Sequence, residues 1–344
     1  MKPGKPRLAV LLGDPSGIGP EMTVKLLQRA QNLEAAELLL IADPLVLQSG
    51  ERIAGGAALD PLRLAGLDDL RFEPGRASLL VQDTMHGKPP VLGESNAHSG
   101  TASFEAMQLA TEAVCRGLVD GIVFAPLNKH SLRLGGLQHE DELRYMQERF
   151  DVSGFVCEFN ITGSLWTSRV TSHVPLKDVA ALITGQAVQD AVHIIRGALI
   201  SAGVEAPRIA VSGLNPHAGD GGSIGSEEIE IIEPAVRALK AQGIDARGPF
   251  SPDTVFIGAR RGDFDAVVSM YHDQGQIAMK LMGFEQGVTL HGGLPVPVAT
   301  SASGSAFDIA GQGIAKVEGL QHAFDLCVRM SRENARKPRT VLTE

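Results

Sequence analysis

The sequence predicts an α/β protein, and three observations lead to that class. Short apolar runs typical of buried strands alternate along the chain with segments whose apolar residues recur at helical spacing. Glycine is abundant, at 39 residues, whereas aromatic residues account for only 4% of the chain. Loops rich in glycine, proline and histidine directly follow four of the predicted strands. At roughly 100–200 residues per domain, the length of 344 residues predicts about two domains.

The individual elements follow from this alternation, in chain order. An apolar run predicts a strand over 7–13, and Pro20 and Glu21 then open a helix, since proline and an acidic residue suit a first helical turn. The stretch 45–91 is the least regular part of the sequence. Later strands are predicted over 37–43, 120–125, 208–213 and 265–271, later helices over 101–117, 186–202 and 227–242, and a largely helical final segment over 307–344.

Composition and charge exclude several classes of partner. The net charge of −9 repels phosphate backbones, so nucleic acid is not expected. No apolar run approaches the ~18–20 residues of a membrane helix, so no membrane association is expected. Residues 1–7 show no apolar signal-peptide core, and Cys115, Cys157 and Cys327 form no closely spaced pair. These features predict a cytoplasmic protein.

One glycine-rich run is a candidate cofactor loop. The sequence contains neither G-x-G-x-x-G nor G-x-x-x-x-G-K-[ST], so any nucleotide must be held by other loops. Residues 216–225, PHAGDGGSIG, end where a helix is predicted to open, and the backbone N–H groups there suit a phosphate. An ordinary tight turn explains the pattern equally well. The candidate cofactor contacts are Asn215, Gly219, Gly221, Gly222 and Gly225.

Three histidines are candidate metal ligands. His173, His217 and His272 each follow an apolar, strand-like segment and stand beside turn-forming or polar residues. Ligands bind beyond the carboxyl ends of strands in open parallel sheets, so these imidazoles suit a divalent metal with positions open for substrate. Their wide spacing leaves an alternative, namely three unrelated loop histidines. Asp273 could add an oxygen ligand or orient a neighbouring imidazole.

Two further residues have both a functional and a structural explanation. Lys280 lies in an otherwise apolar stretch, where it either extends towards solvent or provides a cation for a carboxylate. Asp253 lies in the segment GPFSPDT, which suits a turn or a helix N-cap as well as a catalytic acid.

Taken together, these motifs resemble the 4-hydroxythreonine-4-phosphate dehydrogenase family of vitamin B6 biosynthesis. The matching segments occur in family order and extend over nearly the whole chain. They are GDPSGIGPE (13–21), TSHVPL (171–176), GLNPHAGDGG (213–222), GPFSPDT (248–254), MYHDQGQ (270–276) and GSAFDIAGQG (304–313).

The resemblance implies an isocitrate/isopropylmalate dehydrogenase-like α/β/α fold with a cleft between two lobes. We expect the first lobe at residues 1–130 plus 295–344, and the second, with the dimer interface and the metal site, at 131–294. The resemblance also implies a homodimer with shared active sites and NAD bound without the usual dinucleotide fingerprint. It further implies a divalent metal on His173, His217 and His272, with zinc the first choice and magnesium, manganese or cobalt as alternatives.

The implied reaction is the metal-dependent oxidation by NAD, followed by decarboxylation, of a small β-hydroxy acid. Lys280 matches the family's substrate-binding lysine. Asp253 and Asp273 match acids near the metal that could take or relay a proton, so these three residues are the candidate catalytic groups.

Departures from the family pattern bear on the substrate. Where the family has Gly-His-Thr-Glu, this chain has an acidic segment containing His139, Glu140 and Asp141. Thr289 stands for an asparagine and Val298 for an arginine, which weakens the case for a phosphate dianion. These five positions are candidate substrate contacts. The alternatives are a relative acting on an aromatic cis-dihydrodiol carboxylate of the terephthalate dihydrodiol type or on a four-carbon sugar-acid phosphate, a metal-dependent aldolase or lyase, and a ligand-binding regulatory protein on the same scaffold.

Overall fold

The structure is a computed structural model that describes residues 4–283 and 286–336. Twelve strands are present in this part of the chain: β1 (Arg7–Leu11), β2 (Glu37–Ala42), β3 (Leu62–Leu64), β4 (Ser78–Val81), β5 (Gly121–Phe124), β6 (Cys157–Thr162), β7 (Leu165–Arg169), β8 (Ile209–Ser212), β9 (Ala246–Phe250), β10 (Ala266–Ser269), β11 (Val288–Gly292) and β12 (Val298–Ser301). The same part of the chain contains these α-helices: α1 (Gly19–Leu27), α2 (Ala30–Ala35), α3 (Pro44–Ala54), α4 (Ala97–Cys115), α5 (Lys129–Leu134), α6 (Glu142–Arg149), α7 (Leu176–Leu182), α8 (Gly185–Ser201), α9 (Glu233–Ala241), α10 (Val255–Arg260), α11 (His272–Gly283) and α12 (Glu318–Arg336).

The chain divides into two compact units, and the predicted α/β class is confirmed in both. The first unit runs to Val152 and resumes at Leu294, and the second comprises Ser153–Gly293. Residues 131–152, which we expected in the second lobe, belong to the first unit because their apolar side chains join its core. No helix in the described parts of the chain is long and apolar enough to cross a bilayer.

The first unit contains a parallel sheet in the order β3-β4-β2-β1-β5-β12. Its strands are almost wholly apolar because helices cover such sheets on both faces. Helix α4 begins four residues before the predicted position, since the Asn96 side chain caps it by accepting from the Ser99 N–H at 2.9 Å.

The final helical prediction was only partly correct. Helix α12 covers Glu318–Arg336, the preceding residues 307–317 are irregular, and 337–344 lie outside the described residues. Backbone at positive φ, 84° at Gly311 and 75° at Gly313, ends any regular helix there. Lys25 Nζ donates to the Gly313 and Ala315 carbonyls at 3.0 and 2.9 Å, which ties this segment to α1.

The second unit contains a mixed sheet in the order β11-β6-β7-β10-β8-β9. Strands β11, β6 and β7 pair antiparallel, whereas β7, β10, β8 and β9 run parallel. The predictions missed the β6–β7 hairpin, α11 and the two outer strands of this sheet. Because β7, β10 and β8 are parallel neighbours, their carboxyl ends lie at one edge of the sheet, where ligands bind in such sheets.

Candidate active site

The three candidate metal ligands follow three neighbouring parallel strands of the second unit. His173 comes four residues after β7, His272 begins α11 directly beyond β10, and His217 lies in the loop after β8. The β7 end is tied to the β10 end, because Thr171 donates from its N–H and its hydroxyl to the Met270 carbonyl at 3.1 and 2.8 Å. The sheet therefore delivers all three histidines to the same edge.

His173 and His272 lie side by side. Their ring centroids are 5.7 Å apart and the rings are inclined at 45°. Nδ1 of His272 lies 2.7 Å from Oδ1 of Asp273. An ionised carboxylate can only accept, so in a neutral imidazole this contact favours the proton on Nδ1 and leaves Nε2 with its lone pair. A carboxylate on the far nitrogen of an imidazole is the usual support for a metal-binding histidine.

His217 occupies an unusual backbone segment. Residues 217–221 all have positive φ, including 54° at His217 and 51° at Ala218, neither of which is glycine. A left-handed backbone costs non-glycine residues free energy, so this run must be stabilised by contacts with the surrounding structure. In the second unit, over 153–283 and 286–293, no three histidine, cysteine or carboxylate donors come within 4.8 Å of one another. The single chain thus pairs His173 with His272 and does not bring His217 into the same group.

A buried glutamate supports the His217 loop. Oε1 of Glu228 accepts from the Leu214 and Asn215 N–H groups, both at 2.7 Å, and Oε2 accepts from the Asn215 amide at 2.9 Å. The side chain is only 2% exposed. Gly219 approaches it so closely that a Cβ there would lie 2.7 Å from Oε2. The loop is therefore built around this carboxylate.

Gln274 joins the His217 loop to the start of α11. Its amide Nε2 donates to the Gly213 carbonyl at 3.0 Å, and its Oε1 accepts from the Met270 N–H at 2.7 Å. One side chain thus connects the ends of β8 and β10. Glu228 and Gln274 were not singled out from the sequence. The available signal was that Gln274 lies inside the YHDQG motif and that Glu228 lies three residues after the end of the glycine-rich run.

The candidate cofactor residues divide into two groups. Asn215 and Gly219 contact Glu228, as described above, and Asn215 also donates to Oε2 of Glu227 at 2.8 Å. Gly221, Gly222 and Gly225 are exposed. A hydrogen bond from its own backbone N–H, and a second from Asn215, lower the pKa of Glu227, so the loop carries negative charge.

The other candidates in the second unit lie on different elements. Asp253 is exposed in the turn after β9, where Ser251 Oγ donates to its Oδ1 at 2.8 Å. Lys280 lies on α11 eight residues after His272 and is exposed. Thr289 lies on β11, with its hydroxyl 3.4 Å from the Asn160 amide. Among all the candidate residues of the second unit, only Asp273 contacts a histidine of the pair by a hydrogen bond that the structure describes.

Four substrate candidates belong to the first unit. His139 Nε2 lies 2.8 Å from Oε2 of Glu148, and Asp141 caps α6 by accepting from the Arg144 N–H at 3.0 Å. Glu140 is exposed beside them. The expectation for Val298 is corrected by the structure, because its side chain is 0% exposed within the apolar core of this unit and cannot contact a substrate.

Comparison with known proteins identifies the family. The family model described as pyridoxal phosphate biosynthetic protein PdxA matches residues 34–327. This chain belongs to that family. A Pseudomonas aeruginosa relative, provisionally named 4-hydroxythreonine-4-phosphate dehydrogenase 2, is 48% identical over 336 residues, which are 97% of this chain and 99% of that protein.

Solved structures agree with this assignment. The crystal structure of 4-hydroxythreonine-4-phosphate dehydrogenase from Klebsiella pneumoniae has a TM-score of 0.80 and 32% identity, covering 96% of this chain and 100% of that one. A terephthalate 1,2-cis-dihydrodiol dehydrogenase from Burkholderia xenovorans has a TM-score of 0.66 and 27% identity, and the match covers 95% of this chain and 98% of that one. The predicted family and fold are thereby confirmed.

Proposed function

We propose that this protein is an NAD-dependent, metal-requiring dehydrogenase that oxidises and decarboxylates 4-hydroxythreonine 4-phosphate. The observation that carries the proposal is the His173–His272 pair with Asp273 behind it, in a chain that matches the family from residue 34 to residue 327. The terephthalate dihydrodiol alternative ranks second, because the solved structure with that name is less similar, at a TM-score of 0.66 against 0.80.

The donor set fits a divalent metal, and we propose zinc. Two neighbouring imidazoles, one with its outer nitrogen bonded to a carboxylate, are a combination that zinc favours, and His217 at the same sheet edge would be the third ligand. When bound, a divalent metal supplies Lewis acidity that favours deprotonation of a hydroxyl and stabilises negative charge on oxygen.

The chain's own residues have distinct tasks in this proposal. Asp273 holds His272 in the tautomer whose Nε2 is available as a ligand. Lys280, on the same helix, would pair with a substrate carboxylate or phosphate, since it lies two turns beyond His272. Asp253 and Asp273 are the candidates for holding the proton released from the substrate hydroxyl.

We propose that the exposed part of the glycine-rich loop, at Gly221, Gly222 and Gly225, contacts NAD, which accepts the hydride. Glu227 is ionised there, and a carboxylate accepts hydrogen bonds from ribose hydroxyl groups but repels a pyrophosphate. The loop therefore suits the ribose better than the pyrophosphate. Removal of this carboxylate in Glu227→Gln should raise the KM for NAD while leaving the KM for the hydroxy acid unchanged.

We also propose that the protein acts as a homodimer with shared active sites. Ile277 and Leu281 on α11 are 61% and 84% exposed, an unusual exposure for large apolar side chains on the helix that begins with His272. A second copy seated on these residues would complete a metal site that one chain only partly assembles. The variant Leu281→Asp should be monomeric by light scattering and should bind less zinc, whereas a dimeric, zinc-loaded Leu281→Asp would contradict this arrangement.

The activity is tested by following NADH formation with zinc-loaded protein. The panel comprises 4-hydroxythreonine 4-phosphate, a four-carbon sugar-acid phosphate and terephthalate dihydrodiol. We expect the highest kcat/KM with 4-hydroxythreonine 4-phosphate. A higher value with the dihydrodiol would replace the proposed substrate, and substrate consumption without NADH would indicate an aldolase or lyase. Ligand binding without any turnover would indicate a regulatory protein.

A further inference from the structure

An asparagine in the second unit connects β7, which ends four residues before His173, with α11, which begins at His272. Oδ1 of Asn160, on β6, accepts from Nη1 of Arg169 at 3.0 Å and from Nε2 of Gln276 at 2.5 Å. Arg169 is the last residue of β7, and Gln276 lies on α11. One oxygen atom therefore receives a hydrogen bond from each of the two elements.

Arg169 passes this connection on to the residue before His173. Its guanidinium is only 4% exposed, and Nε donates to the Ser172 hydroxyl at 2.9 Å while Nη2 donates to Oε2 of Glu158 at 2.8 Å. The planar fork of an arginine fixes the directions of these bonds, which a lysine cannot reproduce. The side chain of the residue before His173 is thus held by a charged, buried side chain.

Gln276 connects the helix of His272 to Asn160. It lies four residues after His272 on α11, so the two side chains share one face of the helix, one turn apart. Its hydrogen bond to Asn160 holds this face of α11 against β6. Rotation of α11 about its axis would break that bond and would move His272 relative to His173.

The composition of this network is unusual for a purely structural role. A buried arginine costs desolvation energy, and an apolar residue of similar volume at such a position is often equally stable or better. Here the position holds an arginine that is balanced by Glu158. Its other bonds go to Ser172, the residue before His173, and to Asn160, which also accepts from Gln276 on α11. That convergence indicates a role in the geometry of the pair.

We propose that Arg169 and Asn160 are positioning residues for the metal-binding pair, and that the network from Ser172 through Arg169, Asn160 and Gln276 sets the spacing of His173 and His272. The proposal rests on the proposed function, since it assumes that the pair binds a metal. Neither residue touches the substrate or the metal in this account. Both act through the backbone and the helix that present the imidazoles.

The test is titration of metal-free, full-length protein with Co²⁺, because its visible spectrum reports the geometry of the ligands as well as the affinity. The variant Arg169→Lys keeps the positive charge beside Glu158 and removes the fork. We expect its Kd for Co²⁺ to rise about ten- to a hundredfold, the range for residues that support metal ligands. We also expect the Co²⁺ band to shift in position or intensity.

Arg208→Lys is the matched control. Arg208 forms a similar fork with Asp265, with Nε and Nη2 at 3.1 and 2.9 Å from the carboxylate, at the opposite end of β8 from the His217 loop. Its replacement should lower the melting temperature without changing the Co²⁺ spectrum or Kd. Equal effects of the two variants on Kd, or a wild-type spectrum and Kd in Arg169→Lys, would overturn the proposal.

A second variant covers the case in which Arg169→Lys fails to fold. Gln276→Met removes one amide from a partly exposed position of α11 and should raise the Kd several-fold, and a wild-type Kd would overturn the proposal. If both variants fold, combining them should have less than the product of their separate effects, because both act through Asn160 Oδ1. If the wild-type protein itself binds no Co²⁺ or zinc, the proposed function fails, and this inference fails with it.

Discussion

Removal of the Glu228 carboxylate should release the loop that carries His217. This buried side chain accepts three hydrogen bonds, at 2.7, 2.7 and 2.9 Å, from the backbone N–H groups of Leu214 and Asn215 and from the Asn215 amide. Hydrogen bonds to a charged acceptor contribute about 1.5–3 kcal/mol each. Because Leu214 and Asn215 are half-buried, water can replace part of this loss. We therefore expect Glu228→Ala to lower the free energy of local opening by about 3–4 kcal/mol.

Hydrogen–deuterium exchange measures this opening directly. At about 1.4 kcal/mol per tenfold, the amides of Leu214 and Asn215 in Glu228→Ala should exchange roughly a hundred to a thousand times faster than in the wild type. Glu228→Gln should have an intermediate effect, because one oxygen still accepts the two backbone bonds while the new NH₂ group opposes the Asn215 amide, which is itself a donor. Zinc binding should weaken in parallel with the exchange rates.

Glu227→Gln is the control for a change of charge in the same turn. The Leu214 and Asn215 N–H groups donate to Glu228, and Glu227 accepts only the side-chain amide of Asn215 from these two residues, so exchange at Leu214 and Asn215 should rise tenfold at most. Wild-type protection of these two amides in Glu228→Ala would refute the reasoning. An equal loss of protection in the two variants would also refute it, because the effect would then come from charge and not from the three buried bonds.

Three further predictions concern other parts of the chain. Val298→Arg places a charge in the core of the first unit and should cost more than about 4 kcal/mol, so circular dichroism should show an unfolded protein, and a wild-type melting curve would contradict its core position. Burial raises the pKa of Asp14, and the hydrogen bond from the Ser16 N–H opposes this rise. The folded state therefore favours the protonated carboxyl group. The stability that this preference contributes is present below the unfolded-state pKa and is lost as the pH rises through the folded-state pKa. Asp14→Asn should therefore raise the melting temperature near pH 7 by a few degrees, equivalent to about 1 kcal/mol, and change it little near pH 3, and the reverse dependence on pH would contradict the burial argument. Asp273→Asn should weaken zinc binding about tenfold or more by calorimetry, because the amide no longer supports His272 with a charge, and unchanged affinity would show that Asp273 does not support a ligand.

Local sequence patterns were sufficient for much of the fold. Strands β1, β2, β5, β8 and β10 were each predicted to within two residues at either end, because a short apolar run between polar residues specifies a buried strand by itself. The positions of His173, His217 and His272 beyond strand ends followed from the same patterns. The parallel pairing of β7, β10 and β8 is what turns these positions along the chain into one edge of a sheet.

Long-range contacts account for what the patterns missed. Val298 could not be distinguished as a core residue from its neighbours in the chain, because its burial depends on side chains such as Ile122 and Phe124, which belong to another strand. The irregular backbone before α12 depends on Lys25, which is 288 residues from the Gly313 carbonyl that it contacts. The partners of Glu228 and Arg169 are likewise invisible to periodicity. The amino-acid sequence on its own thus determined which residues are candidates for the chemistry and near which strand ends they stand. Their spacing, their protonation partners and their burial were determined by packing between segments far apart in the chain, because a hydrogen bond or an apolar contact depends on distance in space and not on separation in sequence.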